Sequence, residues 1–271
     1  MTDFAGNLPA MVRFHHILVN SCALGLAITL ISCKPSPTTN PIAIGDQPRS
    51  LLRPQSRNPL HPLEVYFVRH AESLANFSGR YSTATERSFS PRAADQIRKL
   101  VTKLHSIPLD AAVVSPAWRT MNTAAPVLID HHIVATIWPE LYECCDQHGA
   151  ARLLRPSKSV RYGRSIEIPP DQAATFKIDP SDSKRFAQGD YQDGMRQIKM
   201  GYDKFLKAFS GKSESVMIVG HGYNGSRLLE MFLGRPVLGK FSMANAGVVH
   251  LEQNPDGSFK LISLGGSVYR K

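Results

Sequence analysis

Apolar runs alternate with amphipathic stretches from residue 63 to the end of the chain. Residues 63–68, LEVYFV, are apolar and rich in β-branched and aromatic side chains, which predicts a buried strand. Residues 92–106 put Ala93, Ala94, Ile97, Leu100, Val101 and Leu104 on one face at helical spacing. A short strand (110–115), a helix (117–130) and a third strand (133–138) follow. The segment 149–188 carries prolines and polar residues with little periodicity. Helical spacing returns over 191–210, where Met195, Ile198, Tyr202, Phe205, Leu206 and Phe209 recur along one side. SVMIVG (215–220) predicts a fourth strand and 224–234 another helix. AGVVHLEQNPDGSFKLISL closes as two strands about a turn at Asn254-Pro255-Asp256-Gly257. Strands alternating with helices predict an α/β domain of three layers, with a mostly parallel sheet between helices.

The first 62 residues follow a different pattern. Residues 17–32 are apolar and preceded by Arg13, a stretch shorter than the roughly 20 residues of a bilayer span. A basic start, a short apolar segment and a small residue before a break predict a secretion signal over 1–33, with Met11 as an alternative start. LISC, residues 30–33, resembles the bacterial lipobox, which implies lipidation of Cys33. That makes the expected location the bacterial cell envelope, on a membrane-anchored lipoprotein facing the periplasm or exterior. A cleaved soluble signal or an ordinary N-terminal helix are the alternatives. Residues 34–62 hold seven prolines and read as an extended tether, so the folded domain is expected over 63–271, with 149–190 as an insertion or lid.

A formal net charge of +10 over 271 residues suits an anionic partner. Lysine and arginine are scattered rather than clustered in runs, which argues against nucleic acid and leaves a small phosphorylated substrate or an anionic membrane surface. The four cysteines, Cys22, Cys33, Cys144 and Cys145, form neither a disulfide framework nor a zinc spacing.

In a sheet of this kind, ligands bind beyond the carboxyl ends of the strands. The first strand is followed by Arg69, His70, Glu72 and Ser73; the second by SPAWRT with Arg119. The third is followed by PELYE with Glu140 and Glu143, and the fourth by GHGYNG with His221. Two arginines, two histidines and a carboxylate at one edge suit phosphoryl transfer through histidine. A neutral imidazole attacks phosphorus and forms a covalent intermediate. Arginines disfavour protonation of that imidazole and bind the non-bridging oxygens. A carboxylic acid protonates the leaving alcohol and its carboxylate then activates water. No metal or other cofactor is expected, because the cations belong to the protein.

RHAESLAN resembles the signature of the histidine phosphatase superfamily, the phosphoglycerate mutase-like enzymes. The resemblance runs from about Glu64 to Val268 and implies the phosphoglycerate mutase-like fold. It implies that His70 is the nucleophile and that Arg69, Asn76 and Arg119 bind phosphate. It also implies that Glu143 is the acid/base carboxylate, and that His221 is the second pocket histidine, with Gly222 beside it. FSPRAADQI (89–97) resembles a further family motif, with Ala93 where glycine is usual, and NAGVVHL resembles the closing strand. RHAES and the late His-Gly pair are similar to the mutase-type branch rather than the acid phosphatase and phytase branch.

Several points stay open at this level. Gly149 lies six residues after Glu143 where the family often has four, which keeps Glu140 as an alternative acid. Glu72 and Ser73 either contact substrate or order the first loop. Arg152, Arg155, Lys158, Arg161 and Arg164 either form a solvated basic loop or cradle a second anionic group. His148 is a further pocket candidate, whereas His105, His131, His132 and His250 read as structural. A phosphomutase and a non-catalytic phosphoryl-binding protein are the alternatives to a phosphatase, and the oligomeric state is open.

Overall fold

A computed structural model describes residues 61–145, 165–184 and 190–270. Cys22, Cys33, the tether to residue 60, His148 and the five basic residues from Arg152 to Arg164 lie outside the described residues. Nine strands and six helices occur among them, in the order β1 (Glu64–Arg69), α1 (Leu74–Ser78), α2 (Thr83–Glu86), α3 (Ala93–Leu104), β2 (Ala111–Val114), α4 (Trp118–Asp130), β3 (Ala135–Ile137), β4 (Phe176–Ile178), α5 (Tyr191–Phe209), β5 (Ser215–Gly220), α6 (Gly222–Phe232), β6 (Phe241–Ser242), β7 (Val248–Gln253), β8 (Phe259–Ser263) and β9 (Val268–Tyr269).

Seven strands form one sheet in the order β4-β3-β2-β5-β1-β7-β8. The first five run parallel, and β7 and β8 add an antiparallel edge. β6 and β9 form a separate antiparallel pair. The α/β architecture with a mostly parallel sheet is therefore the one the alternation of elements predicts.

The period of two along each strand divides the core. Val65 and Phe67 of β1, with Val216 and Ile218 of β5, face Ile198 and Phe205 of α5 and Leu228, Leu229 and Phe232 of α6. Tyr66, Val68, Met217 and Val219 face the other way, onto Leu100 and Leu104 of α3 and Met121, Ala124 and Leu128 of α4. β1 and β5 are covered on both faces, which is why they read as continuous apolar runs rather than alternating ones.

Two differences from the sequence expectation bear on the site. α6 begins at Gly222, two residues before the expected start, with His221 as its N-cap. Gly222 and Gly225 make this stretch look like a loop. Gly225 is needed for proximity, since a Cβ there would lie 2.2 Å from Phe67 Cζ, so α6 packs directly on β1. The second difference lies in 149–190. Phe176–Ile178 pair with β3 as the edge of the main sheet, so three residues of this segment form a strand. Three residues are too short to show a period.

Candidate active site

β1 and β5 lie in parallel register with Arg69 opposite Gly220, so His70 and His221 leave the sheet side by side. His70 N–H donates to the Gly220 carbonyl at 3.0 Å, and the two imidazoles meet edge to face with centroids 5.3 Å apart. β2 ends one strand further over, where Ser115 N–H donates to the Val219 carbonyl at 3.0 Å. The chain then turns into α4, held by Thr120 Oγ1 donating to the Ser115 carbonyl at 2.7 Å. That turn puts Arg119, 8% exposed, between the two histidines.

The partners fix the tautomers. His70 Nδ1 lies 2.7 Å from the Ala71 carbonyl, which can only accept, so Nδ1 carries the proton and Nε2 the lone pair. Arg119 Nε donates to that Nε2 at 3.2 Å. Arg119 Nη2 also lies 3.2 Å from His221 Nδ1. The His221 proton therefore sits on Nε2, which donates to Ser115 Oγ at 2.7 Å. Burial, then the charges of Arg119 and Arg69, hold His70 well below the usual histidine value, outweighing its bond to Ala71. Burial, Arg119, His70 and Arg69 depress His221 in the same way. Both rings are neutral at physiological pH.

Arg69 reaches into the same space. Its Nη1 donates to the Met243 carbonyl at 2.6 Å, while its buried Nε has no acceptor among the described residues. A Cβ on Gly222 would sit 3.5 Å from the guanidinium, so Gly222 stands beside Arg69 with room for a methyl group between them. Asn76 Oδ1 accepts from Ser73 Oγ at 3.1 Å and from Asn245 Nδ2 at 3.4 Å. Asn245 Nδ2 also donates to the His70 carbonyl at 3.0 Å.

The two candidate acids part company. Glu143 is buried at the N-terminus of α6, where Oε1 accepts from Asn224 N–H at 2.9 Å and Oε2 from Tyr223 N–H at 3.4 Å. Cys144 N–H adds a third contact to Oε1 at 3.3 Å. Burial raises the Glu143 pKa, although the helix N–H groups, Arg119 and Arg69 all pull it down. Gln197 Nε2 and Asn224 Nδ2 each donate to the carbonyls of Glu140 and Tyr142, which fixes the turn that carries Glu143. Glu140 is aimed elsewhere, onto Lys204 Nζ at 3.1 Å, and Lys204 also takes Asp182.

A protein-family model, the histidine phosphatase superfamily (branch 1), matches residues 65–264. The chain belongs to that superfamily. Over 81 residues, 30% of this chain, it is 33% identical to an adenosylcobalamin/α-ribazole phosphatase of Escherichia coli and 32% identical to one of Salmonella typhimurium. The match spans 40% of the length of these curated relatives. The solved α-ribazole phosphatase of Shigella flexneri shares the fold, with a TM-score of 0.55 over 75% of this chain and 96% of that one at 18% identity. So does a mycobacterial glucosyl-3-phosphoglycerate phosphatase in complex with VO3, with a TM-score of 0.50 over 74% and 97% at 15% identity. The phosphoglycerate mutase-like fold implied by RHAESLAN is thus the fold of this histidine phosphatase superfamily member.

Within this superfamily member, Arg69, His70, Arg119 and His221 converge, Gly222 and Asn76 stand beside them, and Glu143 rather than Glu140 joins Arg69 and Arg119. Glu72 does not face this group: its carboxylate accepts from Ser90 Oγ at 2.6 Å and from Arg92 Nε at 3.0 Å. Ser73 caps α1. Both therefore order the first loop. His105 and His131 lie beside Asp130, and His250 stacks on Tyr66 with ring centroids 4.4 Å apart. Among the described residues, no three His, Cys, Asp or Glu side chains are grouped as metal ligands.

Three residues of the site escape the sequence reading. Ser115 Oγ takes the His221 Nε2 proton, and Asn245 ties the His70 carbonyl to Asn76. Thr123 Oγ1 accepts from Ala71 N–H at 2.9 Å and donates to the Arg119 carbonyl at 2.7 Å, which ties the His70 and Arg119 segments together. Ser115 lies in SPAWRT, Thr123 three residues beyond it and Asn245 in NAGVVHL, each as a small polar residue among uncharged neighbours. Only three-dimensional proximity separates such residues from ordinary turn and capping side chains.

Proposed function

We propose that this chain is a metal-independent phosphatase that hydrolyses phosphomonoesters through a phosphohistidine at His70. The carrying observation is the His70 imidazole, pinned through Nδ1 to Ala71 and presenting an unprotonated Nε2 to Arg119 at 3.2 Å. In the reaction, Nε2 attacks phosphorus and the ester P–O bond breaks. Glu143 delivers its proton to the leaving alcohol. Water, giving a proton to the Glu143 carboxylate, then cleaves the P–N bond and returns His70 to its starting state. Burial of Glu143 favours the protonated form that the first step requires.

The Arg119 and Arg69 guanidiniums take the non-bridging oxygens as charge spreads over them. The buried, unpaired Arg69 Nε supports an anion at this position, because a charged donor left without an acceptor is costly. With Asn76 Oδ1 committed to Ser73 and Asn245, its Nδ2 is the remaining donor of that amide.

The test is phosphate release from a panel of monoesters in EDTA, including α-ribazole phosphate because of the curated relatives and 3-phosphoglycerate to score mutase turnover. Release should persist in EDTA and stop with vanadate. Glu143→Gln should lower turnover about 10³-fold with the better-leaving esters least affected. Glu140→Gln, which disrupts only the Lys204 contact, should stay within about threefold of the parent. Equal losses in the two variants, or activity that EDTA abolishes, would remove this mechanism.

The envelope location enters as part of the same proposal. LISC at residues 30–33, closing an apolar run and preceding a proline-rich stretch, supports a lipid anchor on Cys33 that holds the enzyme at a membrane. Cys33→Ser should move the protein from the membrane fraction to the soluble fraction. Unchanged membrane association in that variant would reject the anchor.

A further inference from the structure

Two thiols follow Glu143 directly. Cys144 and Cys145 are both buried and free, with their sulfurs 2.9 Å apart. Cys145 has φ +62°, the left-handed region that a residue with a Cβ occupies reluctantly. Opposite them, α5 carries Gly194 in its first turn. A Cβ on Gly194 would lie 2.4 Å from Cys145 Sγ and 3.2 Å from Cys144 Sγ, so the missing side chain leaves room for two sulfurs. Glycine inside a helix is unfavourable, and Cys145 at positive φ is strained, so both local costs serve to hold this pair against α5.

The pair is also wired to the active site. Cys144 N–H donates to Glu143 Oε1, so the peptide between Glu143 and Cys144 is itself one of the groups that fixes the acid. We propose that Cys144 and Cys145 are a hydrogen-peroxide-sensitive dithiol whose closure to a vicinal disulfide removes the Cys144 N–H contact to Glu143 and lowers turnover.

The chemistry balances with peroxide as the oxidant. The Cys145 sulfur attacks one peroxide oxygen and the O–O bond breaks. The thiol proton leaves with the departing hydroxide as water, and Cys145 becomes a sulfenic acid. The Cys144 sulfur then displaces hydroxide from the Cys145 sulfur, and its own proton completes a second water. The two thiols lose two electrons and peroxide gains them. Burial, followed by the bond to Cys145, holds the Cys144 thiol well above its usual pKa, which suits the second, resolving position. Burial of both sulfurs favours a small oxidant over a bulky disulfide.

Closure must move the backbone. Consecutive Cα atoms across a trans peptide are about 3.8 Å apart, whereas ordinary disulfides need about 4.4–6.8 Å. The ring can form only by deforming the 144–145 peptide, and the Cys144 N–H moves with it. A bond strained in this way is readily reduced, as a reversible switch requires.

The experiment uses the full chain. The protein is treated with hydrogen peroxide, denatured, alkylated and digested with trypsin. The peptide from Thr120 to Arg152 holds Cys144 and Cys145 and neither Cys22 nor Cys33. It should escape alkylation and be lighter by two hydrogens, while turnover falls about tenfold, the worth of one hydrogen bond to a charged group. Dithiothreitol should restore both. Cys145→Ala should keep the parent turnover before and after peroxide, with Cys144 still open to alkylation. Full alkylation after peroxide overturns the proposal, as does a closed pair with unchanged turnover, or equal peroxide loss in Cys145→Ala. The effect on turnover rests on the phosphatase reading, but the peptide mass does not. A protein inactive both oxidised and reduced defeats that reading, while closure of the dithiol is still decided by mass.

Discussion

His70→Asn is expected to lose phosphate release by about 10⁴-fold or more, the scale of losing a covalent nucleophile. Asparagine is the informative replacement. Its amide can still donate to the Ala71 carbonyl, the contact that His70 Nδ1 makes at 2.7 Å. What it lacks is an equivalent of Nε2, the atom that faces Arg119. The variant therefore separates the nucleophile from the loop geometry. Substrate or vanadate binding should survive within about tenfold, because Arg69 and Arg119 are unchanged and each charged hydrogen bond is worth about 1.5–3 kcal/mol. A rapid quench should trap an acid-labile phosphoenzyme in the parent and none in the variant. Phosphate release within tenfold of the parent, or an undiminished phosphoenzyme signal, would mean that another group attacks phosphorus.

How far the sequence reaches differs between fold and site. The buried strands β1 and β5 are legible because both faces are covered, which leaves unbroken apolar runs in LEVYFV and SVMIVG. α3 and α5 are legible because one face of each packs on the sheet, which leaves a helical period. β4 is not, since three edge residues carry no period and gain their conformation by pairing with β3. The start of α6 is not, because two glycines in its first turn read as a loop, while Gly225 is there for the close approach to Phe67 rather than for helix propensity.

In the site, charged residues at strand ends are readable one strand at a time, and the parallel register brings them together. Between Glu140 and Glu143 the family resemblance implies Glu143, but spacing leaves Glu140 open, since both follow β3 by a few residues. The structure separates the two carboxylates by distant partners, Lys204 on α5 for Glu140 and the N-terminal amides of α6 for Glu143. The same holds for Ser115 and Asn245, whose importance comes only from the histidine each one touches.

Arg119→Met should lower turnover by about 10³-fold or more, the scale for removing a guanidinium that stabilises transferring phosphoryl oxygens. It should also make the protein less sensitive to acid, which is the less obvious half of the prediction. His70 and His221 are buried and neutral, with folded pKa values well below the ordinary histidine value of about 6.5. Below pH 6.5 the unfolded chain therefore takes up two protons that the folded protein refuses. Each such group costs about 1.4 kcal/mol of stability per pH unit until its folded pKa is reached. Glu143 works in the opposite sense: its pKa is raised, so its cost is relieved as the pH falls through that raised value. The histidine terms set the slope from pH 6.5 downwards, and His131 and His250, also shifted down, add to it.

After burial, Arg119 is the largest cause of depression in both rings. Removing its charge lets both imidazoles bind protons more readily in the folded state, so the melting temperature should fall less between pH 7.5 and 5.5 than in the parent. Methionine keeps most of the buried volume, which limits the packing loss. Inorganic phosphate or vanadate should raise the melting temperature of the parent and leave the variant nearly unmoved, since binding to the folded state alone is what stabilises. A variant with parent-like acid sensitivity would show that Arg119 does not set the protonation of the two histidines. One that still responds fully to vanadate would show that it does not hold the phosphoryl group.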